Sequence, residues 1–130
     1  MMNRKGDRMK KKILIVDDEP GIVRLLSIRL KTKGFDVFVA HDGVEGVEIA
    51  IKEVPDLILM DVKMPRGGGI GAFEKLIQLN ITKGIPVIFM TASYPKLAIE
   101  NQVLKLGAKG CIAKPFVSKD FEQTITMALG

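Results

Sequence analysis

Ile13-Leu14-Ile15-Val16-Asp17-Asp18-Glu19-Pro20 joins an unbroken aliphatic run to three acids and a proline. A short apolar run without polar alternation is the pattern of a strand covered on both faces. A second such run, residues 57–60, stops at Asp61. In a parallel sheet the positions just past the carboxyl ends of the strands share one edge, where ligands bind in the crevice. Two strand ends therefore bring Asp17, Asp18 and Asp61 into one pocket. Crowded carboxylates repel one another unless a cation sits among them, and a hard divalent ion such as Mg²⁺ (or Mn²⁺) suits oxygen donors.

Working outward from that stretch, strands read at Lys12–Val16, Asp36–Ala40, 57–60, 87–90 and Gly110–Ala113. Between them, Ile22, Leu25, Leu26, Ile28 and Leu30 recur with helical spacing up to a stop at Lys33-Gly34. Residues 44–51, 70–79, 95–106 and Ser118–Leu129 make four more helices, with Gly107 ending the fourth and Ser118 capping the fifth. Strand–helix alternation of this kind requires right-handed crossovers and places helices on both faces of a parallel sheet. The expected architecture is α/β, one doubly wound domain.

Composition bounds the rest. At 130 residues the chain holds one domain, and 47% apolar with 5% aromatic residues describes an aliphatic core. No apolar run approaches the length of a membrane span, so no membrane insertion is expected. A single cysteine excludes an internal disulfide and, with a single histidine, a structural zinc site. These features describe a cytoplasmic protein. The net charge of +5 lies in the first twelve residues, where Arg4, Lys5, Arg8, Lys10, Lys11 and Lys12 outweigh Asp7. The remainder is balanced and carries no basic recognition stripe, so direct nucleic-acid binding is not expected. Residues 1–10 read as a disordered basic tail and residues 11–130 as the folded domain.

Five separated elements together resemble the receiver domain of two-component response regulators, of the chemotaxis-regulator type, from about Lys11 onward. They are Asp17-Asp18-Glu19-Pro20; Asp61 followed by Met64-Pro65 and Gly69; Thr91-Ala92; Gly107-Ala108; and Lys114-Pro115-Phe116. Each alone has an ordinary reading: acids after a strand favour a helix N-terminus, and a threonine or lysine is a common surface residue. Their joint placement at the ends of strands one, three, four and five carries the resemblance. It implies a flavodoxin-like five-stranded parallel sheet of order 2-1-3-4-5 flanked by five helices.

The resemblance also implies roles. Asp61 is the expected phosphoacceptor, a carboxylate nucleophile that forms an aspartyl phosphate. Asp18 is expected to bind Mg²⁺ directly and Asp17 directly or through water, with Asp61 and the main-chain carbonyl of Lys63 completing the set. Lys114 is expected to pair with a phosphoryl oxygen and Thr91 to donate its hydroxyl to another. Ala92 keeps the mouth open, Lys63 flanks the phosphoryl group, and Lys114-Pro115 is a candidate cis peptide. The implied donor is a histidine kinase or histidine phosphotransfer protein. The output is a downstream protein, or a second copy of the chain, docking on the face of helix four, strand five and helix five. Such a domain is not a conventional enzyme, since it catalyses only its own phosphorylation and dephosphorylation.

Two departures stand out. Receivers commonly carry Tyr or Phe three residues before the lysine, where this chain has Cys111, a small residue read as a buried filler at the switch position. Gly67-Gly68-Gly69 gives the segment after Asp61 unusual backbone freedom and suggests a mobile loop. His41 is expected to be exposed. Among rivals, Gly67–Ala72 formally satisfies G-x-G-x-x-A, but it follows the third strand and has no acid placed for a ribose. A dehalogenase-type phosphatase needs two acids spaced two apart, whereas Asp17 and Asp18 are adjacent. A degenerate receiver serving only as a phosphorylation-independent docking module is the remaining alternative.

Overall fold

The computed structural model describes residues 10–64, 68–92, 96–114 and 118–130. Ten elements alternate along it: β1 (Lys12–Val16), α1 (Pro20–Thr32), β2 (Asp36–Ala40), α2 (Gly43–Glu53), β3 (Leu57–Asp61), α3 (Gly68–Gln78), β4 (Val87–Thr91), α4 (Lys96–Leu106), β5 (Gly110–Ala113) and α5 (Ser118–Leu129). All strand pairs are parallel, as the alternation implies, and the order is β2-β1-β3-β4-β5, as the resemblance implies.

The two-residue period of the strands divides their side chains between two cores. Ile13, Ile15, Leu57, Leu59, Ile88, Met90 and Ile112 meet Leu26 and Leu30 of α1 and Phe121 and Ile125 of α5. Leu14, Val16, Ile58, Met60, Val87, Phe89 and Cys111 meet Ala50, Ala72, Phe73, Leu76 and Val103 of α2, α3 and α4 on the other face. Phe73 and Phe89 pack edge to face with ring centroids 5.5 Å apart. On the first face, the Arg29 guanidinium lies 5.7 Å from the centre of the Phe121 ring and ties α1 to α5. Burial of both faces explains why β1, β3 and β4 read as continuous apolar runs rather than alternating ones.

Helix ends follow local chemistry. Asp42 caps α2 by accepting the N–H of Glu45 at 2.8 Å. Gly34 and Gly107, with φ of +96° and +112°, turn the chain out of α1 and α4 in the left-handed conformation open to glycine. Three of the boundaries that differ from the sequence reading lie beside the site. β3 and β4 each run one residue further, through Asp61 and Thr91, because Asp61 still pairs with Met90 and Thr91 with Ala113. α3 begins at Gly68, so Gly68 and Gly69 form its first turn rather than part of a loop. Pro65, Arg66, Gly67, Pro95, Pro115 and Phe116, and with them the candidate cis peptide and most of the N-terminal tail, lie outside the described residues.

Candidate functional site

Register alone brings the site together. Val16 pairs with Met60 and Asp61 with Met90, so Asp17 and Asp61 emerge side by side at one sheet edge. The Asp17 N–H donates to the Ala40 carbonyl at 3.1 Å, extending the β1–β2 ladder and holding its main chain. The Lys114 N–H donates to the Thr91 carbonyl at 2.8 Å and does the same for β5 against β4. Above this edge lies a cleft of about 370 Å³, lined by Asp18, Glu19, Asp61, Lys63, Thr91, Ala92 and Lys114.

The loop after β1 decides which acids converge. Oδ1 of Asp17 accepts the N–H of Glu19 at 2.9 Å, an Asx-type turn that reverses the chain over two residues. Asp17 is thereby fully buried, Asp18 is exposed at the cleft wall, and Glu19 lies across the mouth. Carboxylate oxygens of Asp17, Glu19 and Asp61 lie within 4.8 Å of one another. Lys114 bridges all three: Nζ is 2.8 Å from Oδ2 of Asp17, 2.6 Å from Oε1 of Glu19 and 3.5 Å from Oδ2 of Asp61.

The electrostatics follow from burial and this crowding. Burial and the neighbouring Asp17 charge raise the Asp61 carboxyl to about 6, against the opposing pull of Lys114 and of the Lys63 main-chain N–H. Burial works against the Lys114 ammonium, but its hydrogen bonds to Asp17 and Glu19 and the charge of Asp61 outweigh it and push it up to about 12. The pocket thus holds an excess of hard-oxygen negative charge that one lysine does not satisfy. This donor set fits a divalent cation with a preference for carboxylate and carbonyl oxygen.

Of the residues singled out from sequence, Asp17, Asp61, Thr91, Ala92, Lys63 and Lys114 meet at this edge, and Asp18 joins them at the cleft wall. Thr91 is buried at the end of β4. Cys111 lies lower on β5, paired with Phe89 and packed into the core under α4. His41 is exposed, its N–H donating to Glu45 Oε1. Glu19 is the site residue to which the sequence reading assigned no role. Its signal was present, as the third acid of the run and the residue immediately before Pro20.

The family model described as "Response regulator receiver domain" matches residues 13–126. The alkaline phosphatase synthesis transcriptional regulatory protein PhoP of Bacillus subtilis is 37% identical over 123 residues, covering 93% of this chain and 49% of that protein. The chain spans about half the length of the curated relatives it matches. Among solved structures, chemotaxis protein CheY4 of Vibrio cholerae superposes with a TM-score of 0.81 at 29% identity, covering 92% of this chain and 98% of that one. A response regulator receiver domain protein from Clostridium thermocellum gives a TM-score of 0.83 at 28% identity, covering 92% and 94%. The shared sheet order, the acidic edge with its lysine and the matched length agree on one conclusion: the chain belongs to the response regulator receiver domain family.

Proposed function

We propose that the domain is a phosphorylation-dependent signalling switch with Asp61 as its phosphoacceptor. A carboxylate oxygen of Asp61 attacks the phosphorus of a phosphohistidine. The P–O bond forms as the P–N bond breaks, and the histidine imidazole leaves with the electron pair and takes up a proton from solvent. The observation that carries the reading is Lys114, just after β5, held beside Asp17 after β1 and Asp61 at the end of β3, at a cleft also lined by Thr91 and Ala92.

The residues divide the work. Lys114, kept charged, offsets one oxygen of the incoming phosphoryl group, and Thr91 offers its hydroxyl to another. Ala92 leaves room for the donor, and Lys63 adds a positive charge at the rim. Asp17, Asp18, Asp61 and the Lys63 carbonyl would hold Mg²⁺ or Mn²⁺, with Glu19 near enough to join them. When bound, the cation neutralises charge that the carboxylates and phosphoryl oxygens would otherwise set against each other.

We infer a histidine kinase or histidine phosphotransfer protein as donor and a cytoplasmic setting; no helix among the described residues is long and apolar enough to cross a membrane. We also infer output through the face of α4, β5 and α5, to a downstream protein or a second copy, as the family resemblance implies. The relative named above is a transcriptional regulator, which makes control of a DNA-binding output one form this switch could serve. The docking-only alternative is disfavoured because Asp17, Asp18, Asp61, Thr91 and Lys114 converge on one edge.

The test is the mass of the protein after incubation with Mg²⁺ and acetyl phosphate, beside Asp61→Asn. One phosphoryl adduct in the wild type alone supports the switch. No adduct from acetyl phosphate or from a phosphorylated histidine donor would favour a docking module.

A further inference from the structure

We propose that Glu19 is a positioning residue: it holds Lys114 in the unphosphorylated domain and is the partner that Lys114 gives up when a phosphoryl group reaches Asp61. This rests on the reading of Asp61 as acceptor.

A lysine ammonium has three N–H donors. Here three carboxylates surround it, from Asp17, Glu19 and Asp61, with Glu19 the nearest at 2.6 Å. The Lys114 side chain is only 6% exposed, so little of it remains for water. A phosphoryl oxygen must therefore displace one of the three. Asp17 is fully buried and its other oxygen is committed to the Glu19 N–H, so its carboxylate is held in place beside the lysine and has no solvent to turn into. Asp61 is the residue being esterified and stays beside its own phosphoryl group. The Glu19 carboxylate is 57% exposed and can be rehydrated at little cost. Glu19 is thus the partner that leaves.

Two consequences follow. Before phosphorylation, the Glu19 contact keeps the lysine away from the position where the phosphoryl oxygen will sit. Afterwards, the carboxylate is released at the N-cap position of α1, where it makes no side-chain capping bond in the resting domain. Glu19 therefore sets how much of the lysine's interaction with phosphate is spent on breaking an existing pair.

The experiment uses the 130-residue chain in three forms, wild type, Glu19→Gln and Glu19→Asp. Each is titrated with beryllofluoride in the presence of Mg²⁺, while the ¹⁵N resonance of the Lys114 ammonium, assigned by its loss in Lys114→Met, is followed. Glutamine keeps the length but loses the charge, and aspartate keeps the charge but falls short of the lysine. Both variants should bind beryllofluoride roughly two- to fivefold more tightly, the range expected for loss of a largely exposed ion pair. Both should also shift the Lys114 resonance in the free protein, and all three forms should share one resonance position when beryllofluoride is bound. Tighter binding by Glu19→Gln with wild-type behaviour in Glu19→Asp would overturn the proposal in favour of a bulk charge effect. Weaker binding by either variant would overturn it in favour of a carboxylate that serves the metal. Beryllofluoride binding to none of the three would remove the acceptor reading itself, and this proposal with it. Variants that bind beryllofluoride no more tightly than wild type would instead overturn this proposal while leaving the acceptor reading standing.

Discussion

Gly69 in the first turn of α3 sits so close to the main chain of Asp61 that no side chain fits between them. A β-carbon there would overlap the Asp61 carbonyl oxygen and lie 2.9 Å from the carbonyl carbon and 3.1 Å from Cγ of Met60. The Gly69 N–H donates to the Val62 carbonyl at 3.0 Å, so helix and strand end are locked to each other. Gly69→Ala should push the Asp61 main chain out of register. The expected cost is about 1–3 kcal/mol in urea unfolding. Aspartyl phosphate should form about tenfold more slowly or worse, because small misplacements of reacting groups are expensive.

Asp61 should make stability depend on pH in a direction opposite to most acids. Its folded-state carboxyl holds a proton up to about 6, whereas the unfolded one releases it near 3.8. Between those values the native state binds more protons, so stability falls as pH rises across that window. Asp61→Asn lacks this loss and should outlast the wild type by about 1–2 kcal/mol near neutral pH. The difference should shrink toward pH ~4, which denaturant titrations at several pH values will show.

Cys111 fills a place under α4 opposite Phe89 and takes no part in the charge cluster. Cys111→Ser buries a hydroxyl in apolar surroundings and should cost about 1–2 kcal/mol of stability. The extent of phosphorylation, read as intact mass, should not change. Loss of the adduct in a folded Cys111→Ser protein would show that the site depends on the thiol.

Val54 closes α2 with φ of +45°, a left-handed conformation, immediately before Pro55. A β-branched residue is disfavoured there, and asparagine is among the residues that tolerate it. Val54→Asn should raise stability by about 0.5–1 kcal/mol. The thermal midpoint should rise by about 2–5 °C, measured by circular dichroism. An unchanged or lower midpoint would mean that the half-exposed valine side chain contributes more packing than its backbone costs.

The sheet was legible in the chain because its strands are buried on both faces and carry their signal locally. Runs such as Ile13–Val16 in β1 need no partner to be recognised, and the acids that end them mark one edge once the strands are parallel. Less legible were the ends of β3 and β4, because Asp61 and Thr91 look like loop residues and are held in the sheet only by partners on β4 and β5. Gly68 and Gly69 read as loop residues, although they open α3, for a similar reason. Flexibility is a property of glycine alone, whereas the need for Gly69 comes from the Asp61 backbone behind it.

By itself, then, the order of residues determined the element types, the parallel alternation and the candidate acids, lysine and threonine, since each depends on periodicity or on a residue's own chemistry. Tertiary structure decided which acid meets Lys114. Asp18 and Glu19 are neighbours of like charge, and nothing in their order says which turns inward. The Asx-type turn from Asp17 to the Glu19 N–H, held by the β1–β2 ladder below it, leaves Asp18 exposed and brings Glu19 to a lysine 95 residues away. Side-chain direction in such a turn is set by backbone hydrogen bonds to a neighbouring strand, and those exist only once the sheet has formed.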